Sequence, residues 1–203
     1  MAALLAVSRV IDGIGRWTAV VATWLVLLAA LVSAFNALFR YSISSIIWLD
    51  AKLRVFGGGL GFLFNLYRDN SNSLRDIQLI MFAGMVMLGA SWTLKTNEHV
   101  RVDIVYGSAS YRKRCWIDLT GAVLFLVPMC LVLIYFSWPW FLQSWIGHEM
   151  SSNAGGMPRW PFKILVPLGF ALLLLQGISE IIKCVAALTT DYRRESAYEK
   201  PVQ

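Results

Sequence analysis

The sequence predicts an all-α membrane protein with four transmembrane helices and an extra amphipathic or re-entrant segment between helices 1 and 2. Three observations carry this. Of the 203 residues, 58% are hydrophobic and only 15% charged, where a soluble domain has nearer a quarter charged. The charges are segregated, leaving long stretches with none, and that distribution marks membrane spans. Each such stretch is also close to the ~20 residues a helix needs to cross a hydrocarbon core of about 30 Å.

The elements follow in chain order. No charge falls between Arg16 and Arg40, which sets the first span at about 17–39. Val32-Ser33-Ala34 resembles a leader cleavage site, but the apolar run exceeds the roughly 7–15 residues of a cleavable leader, so it is expected to remain as an anchor. The insertion at about 43–70 mixes Ile43, Ile46, Ile47 and Trp48 with Asp50, Lys52 and Arg54. It then runs from Val55 to Tyr67 with Asn65 as its clearly polar residue. That second run reaches only ~20 Å as a helix, too short to cross. Gly57-Gly58-Gly59 and Gly61 weigh against a helix start there, and no Gly-Lys-Ser/Thr follows to make a phosphate loop. The expectation is a hairpin on the outer membrane face or against a partner subunit.

The second span, about 76–95, lies between Asp76 and Lys95 and carries Ala83, Gly84, Gly89, Ala90 and Ser91, small residues that let helices approach closely. The third, about 118–137, follows Asp118 and holds Pro128. Trp138, Trp140, Trp145 and Trp160 then supply an interfacial belt, with Pro139 and Pro161 as breaks and Asn153-Ala154-Gly155-Gly156 as a turn. The fourth span, about 162–183, holds Pro167 and leads into a tail at 184–203. The whole chain forms a single membrane domain.

Four spans put both termini on one side. Arg112-Lys113-Arg114 and Arg193-Arg194 place that side in the cytoplasm, because basic residues in short segments beside spans stay inside. The net charge of +6 sits at helix ends, where it anchors spans to lipid headgroups, and implies membrane lipid rather than nucleic acid as partner. Cys115, Cys130 and Cys184 are scattered without a CxxC pair, which argues against a disulfide or metal framework.

No catalytic, metal or substrate-binding constellation stands out, and no cofactor is expected. His148-Glu149 lacks the second His of a zinc helix, since Ser152 stands there. His99 and His148 fall on opposite sides of the bilayer, so one haem cannot bridge them, which leaves a single-His haem or a quinone site open. In the run Asn97-Glu98-His99-Val100-Arg101-Val102-Asp103, the polar residues His99, Arg101 and Asp103 alternate with Val and Ile. An extended chain would show them on one face, as a docking strip or as a solvated loop. On the fourth span Gln176, Ser179, Glu180 and Lys183 share one helical stripe, where Lys183 and Glu180 sit one turn apart. At that depth they face the bundle or a partner. With no internal repeat and no paired broken helices, the chain reads as an accessory or anchor subunit.

The run Leu94 to Asp103 resembles the signature after the second helix of the small membrane subunit of TRAP transporters, the tripartite carriers that use a periplasmic binding protein. Other pieces resemble the same family in order: Asn36 with Phe39-Arg40-Tyr41; Ser71-Asn72 with Gln78 and Phe82; Ser151-Ser152-Asn153 with Gly155 to Pro161 and Lys163; Pro167 to Phe170; and Gln176 to Glu180. The resemblance covers about 30–42 and 71–183. The link 41–70 is longer than the family's, and Asp76 rather than Asp50 fits its acidic residue at the entry to helix 2.

The resemblance implies a scaffold subunit of a sodium-coupled importer of an organic acid or similar solute, in a bacterial inner membrane. It would pair with a large TRAP membrane subunit and a periplasmic substrate-binding protein. Arg40, Asp76, Gln78, Glu98, His99, Arg101, Asp103, Glu149, Trp160, Gln176 and Glu180 are the expected interface or docking residues. The alternative is a haem- or quinone-associated membrane anchor of a respiratory oxidoreductase.

Overall fold

The computed structural model describes residues 1–53, 59–98, 106, 109–190 and 192. Four helices in it are long and apolar enough to cross a membrane, over Ala2–Ile43, Asp69–Thr96, Tyr111–Ile146 and Trp160–Thr189. Among the described residues the remainder is helical extensions of these spans, turns and one isolated antiparallel bridge, Met150 to Pro158. The helices are α1 (Ala2–Leu53), α2 (Gly59–Thr96), α3 (Tyr111–Gly121), a π-helical turn (Ala122–Leu126), α4 (Val127–Ile146) and α5 (Trp160–Thr189).

The expected segment at 43–70 does not stand apart as an element of its own. Helix α1 continues into it to Leu53, and α2 begins inside it at Gly59, while 54–58 lie outside the described residues. Helix α2 starts through Gly59 and Gly61, although each costs about 1 kcal/mol relative to alanine in a helix interior. At 52 residues α1 is about 78 Å long, so much of it lies beyond a ~30 Å hydrocarbon core.

Helix α5 is central, touching α1, α2, α3 and α4, and 33% of its most apolar stretch is buried against 6–11% in the other spans. Small residues set the spacing. A side chain at Gly169 would meet the Met87 Cβ at 2.7 Å and its carbonyl at 3.0 Å, and one at Gly84 would meet Leu25 at 2.8 Å. Gly84 of the second span thus lets α1 come close to α2, and Gly169 of the fourth lets α2 come close to α5.

The break between α3 and α4 traces to Pro128. With no N–H to give, proline leaves carbonyls of the preceding turn without their usual partners. The chain answers with a wider turn, in which the Val127 N–H reaches back to the Ala122 carbonyl. Pro139, expected in a loop, instead lies inside α4, which runs on to Ile146; a helix tolerates one missing donor where its neighbours hold the register.

Two helices stop on left-handed residues that are not glycine. Asn97 (φ 63°) ends α2, with the Glu98 N–H bonded to the Thr93 carbonyl and the Asn97 N–H to that of Leu94. His148 (φ 46°) ends α4 in the same way, the Glu149 N–H bonding the Ser144 carbonyl. The role of His148 is thus conformational, and it turns Glu149 back toward α5.

Candidate functional site

Polar side chains gather at two ends of the bundle. The terminal end holds the start of α1 and the end of α5; the far end holds the α4–α5 loop. Between them Ile164 to Leu175 of α5 contain no polar residue, a gap of about 18 Å along the helix.

At the terminal end Asp12 of α1 is the hub. Its carboxylate accepts Gln176 Nε2 at 3.0 Å, the Ser179 hydroxyl at 3.0 Å and Lys183 Nζ at 2.8 Å. Lys95 of α2 stands 3.6 Å away and lies over the Trp92 ring. Lys183 also binds Glu180 at 2.9 Å, and Ser8 meets Ser179 at 2.7 Å between hydroxyls. Ser8, Gln176, Ser179 and Glu180 are buried. Two carboxylates and two ammoniums therefore balance inside a three-helix junction. The stripe on α5 does face the bundle, and Lys183 does pair with Glu180 one turn away.

At the far end the loop folds on itself and then onto α2. The Ser151 N–H bonds the Met157 carbonyl and the Arg159 N–H that of Glu149, while Gly156 closes the expected turn back to Asn153. Gly155 takes φ 68°, and a side chain on Gly156 would strike Ser151 and the Asp76 carboxylate. Three α2 residues clamp the turn: Asn72 donates to the Ala154 carbonyl, Ser73 to that of Gly155, and Asp76 accepts the Met157 N–H at 3.0 Å. Glu149 binds Lys163, whose ammonium also lies 4.7 Å from the Trp140 ring centre. The Lys163 ammonium beside it holds the Glu149 carboxyl below the usual glutamate range. Trp160 packs edge-on against Trp145 at 4.7 Å. A cleft of about 260 Å³ opens between Asp76, Leu79, Trp140, Phe162 and the loop.

The expected residues thus divide. Asp76, Glu149 and Trp160 come together at the far end, and Gln176 and Glu180 at the terminal end. Gln78 ties α2 to α1 through Ser33 at 3.2 Å. Arg40 and Glu98 are exposed on α1 and after α2, and His99, Arg101 and Asp103 lie outside the described residues. Sequence reasoning missed Asp12, Ser8 and Lys95. The signal for Asp12 is a lone acid inside the apolar stretch Val10 to Ile14, which reads too easily as a flank of the span.

Chemically, these groups hold one another. Among the described residues no cluster of His, Cys, Asp and Glu could grip a metal ion, and the three cysteines are free and buried. A family model described as tripartite ATP-independent periplasmic transporters, DctQ component, matches residues 66–187, more than half of the chain. Among the curated proteins and among the solved structures there is no match.

Proposed function

Because the chain belongs to the DctQ component family of tripartite ATP-independent periplasmic transporters, we propose that it is the fixed scaffold of such a carrier. It pairs with a large membrane subunit that holds the substrate and sodium sites, and it works with a periplasmic protein that captures an organic acid or similar small solute. The observation that carries this is the apolar middle of α5: polar groups sit at the two ends and none lies on α5 between them. A chain that conducted solute itself would place polar groups near the bilayer midplane. The mostly uncovered apolar faces of α1, α2 and α4 leave ample surface for a membrane partner.

The termini lie in the cytoplasm and the far end faces the periplasm of a bacterial inner membrane, an orientation supported by the basic clusters beside the spans. Gln176 and Glu180 serve assembly indirectly, by locking α5 to α1. Asp76, Gln78, Glu149 and Trp160 shape the far end, and Arg40, Glu98, His99, Arg101 and Asp103 meet partners. The chain itself performs no catalysis. The family match, to a transporter component, separates this reading from the haem- or quinone-anchor alternative.

Co-purification and reconstitution test it. The tagged chain is expected to bring down a large multi-span permease. Sodium-dependent uptake into liposomes is expected only with both membrane subunits and the binding protein present. Uptake by the chain alone, or a Soret band in the purified protein, would end the proposal. So would a substitution at Arg40 or Gln176 that switches substrate preference while the complex stays whole.

A further inference from the structure

The far-end cleft has no part in the scaffold reading, and its charges are unevenly matched. Asp76 is half-buried, and its carboxylate accepts from two uncharged donors, the Met157 N–H at 3.0 Å and the Asn153 amide at 3.4 Å. Among the described residues no Lys or Arg forms an ion pair with it. A carboxylate in a partly dry cleft gains from a cation brought to it. On the loop side, the Arg159 side chain is 46% exposed. Its guanidinium holds the Ser152 hydroxyl at 3.2 Å and reaches Glu149 only at 3.9 Å, while Lys163 takes the other Glu149 oxygen. One rim of the cleft thus offers an anion without a cation and the other a cation with capacity to spare.

What lies around the rim selects among occupants. Trp140, Trp145 and Trp160 put it at the depth where indole rings settle, the headgroup layer. Leading away from it, Leu79, Phe82 and Val86 follow at helical spacing on α2 and are 54%, 42% and 55% exposed, an apolar track running into the span. At about 260 Å³ the cleft is smaller than pockets for drug-sized ligands, which start near ~300 Å³, and suits a headgroup.

The geometry points to a zwitterionic phospholipid with a primary ammonium, phosphatidylethanolamine, seated in this cleft. Its ammonium meets Asp76, its phosphate meets Arg159, and an acyl chain lies along Leu79, Phe82 and Val86. A partner's side chain of one sign would satisfy one rim only. An anionic headgroup would set negative charge against Asp76, and a choline has no N–H to donate. The inference rests on the bilayer placement and not on the transporter reading, so either can fail without the other.

Native mass spectrometry of the delipidated protein, with whatever subunits purify with it, tests it, with phosphatidylethanolamine, phosphatidylcholine, phosphatidylglycerol and soluble glycerophosphoethanolamine each added in turn. Phosphatidylethanolamine is expected to be retained roughly tenfold better than the other two lipids, the effect of about one charged hydrogen bond. Asp76→Asn keeps an acceptor for the Met157 N–H and is expected to erase that preference without lowering the melting temperature. Arg159→Gln, at an exposed position, is expected to weaken all three phospholipids alike, since each carries the phosphate. Equal retention of the three lipids, or a preference that survives Asp76→Asn, would overturn the assignment. Full competition by glycerophosphoethanolamine would overturn the lipid as its source. If Asp76→Asn instead loosened the partner subunit and left lipid retention unchanged, the cleft would belong to a protein side chain.

Discussion

The two polar ends use the same side-chain chemistry to different purposes. At the terminal end Asp12 and Lys183 are about seven-eighths covered and come from helices 171 positions apart in the chain. At the far end Glu149 is 39% exposed, and its buried partner Lys163 is only 14 positions away. The first ion pair welds distant helices; the second shapes a loop. What an ion pair does here is decided by how far its acid is covered and by which elements it joins, since burial raises both its strength and the penalty for breaking it.

Substitutions can break or sharpen that contrast. The largest effect is expected from Asp12→Ala, which leaves Lys183 with Glu180 alone and takes the acid away from Lys95. A loss of about 3 kcal/mol, typical of removing one partner of a buried pair, should appear as a sharp fall in melting temperature in detergent. If Glu149→Gln proves as harmful, the contrast collapses. Gly156→Ala comes next: its new methyl would stand 2.5 Å from the Ser151 Cβ and 2.8 Å from an Asp76 oxygen. Faster hydrogen exchange over 147–159 with little change in global melting would mark the far end as a local unit.

A pH series probes a smaller effect. The Glu149 carboxyl is held below its ordinary range chiefly by the bond from Lys163. Its contribution is therefore present above the unfolded value of about 4.3 and lost as pH falls through the lower folded value. The melting difference between the wild type and Glu149→Gln should be constant from neutral pH to about 5 and shrink progressively as pH falls below the unfolded value of about 4.3. The smallest response is to salt. Raising it to 1 M should weaken the exposed Glu149–Arg159 contact and leave the Asp12 junction unmoved, because screening acts mainly on solvated charges.

The four spans are legible in the sequence because crossing a bilayer demands only an apolar window of sufficient length. The α5 stripe is legible for a related reason: Gln176, Ser179, Glu180 and Lys183 sit on one helix, where spacing translates directly into a shared face. The Asn153 to Gly156 turn is legible from its residues, but not the helix it docks on, since nothing local ties it to Asn72, Ser73 and Asp76. Asp12 is illegible for the same cause carried further, its partners being set by how α1 crosses α2 and α5. Pro128 signals a disturbance without revealing that a π-helical turn absorbs it, and Pro139 reads as a break where α4 carries straight through.

The distance along the chain between Asp12 and Lys183 also sets an order in time. Ribosomes add ~5–20 residues per second, so the 171 positions between them take about ten to thirty seconds to synthesise. Throughout that interval Asp12 is in the membrane-bound chain without the lysine that best neutralises it. The junction can close only when the last span has arrived and seated against the first. A chain truncated or misinserted at the fourth span would carry an open acidic site at its other end, a mark by which quality control could tell unfinished subunits from finished ones.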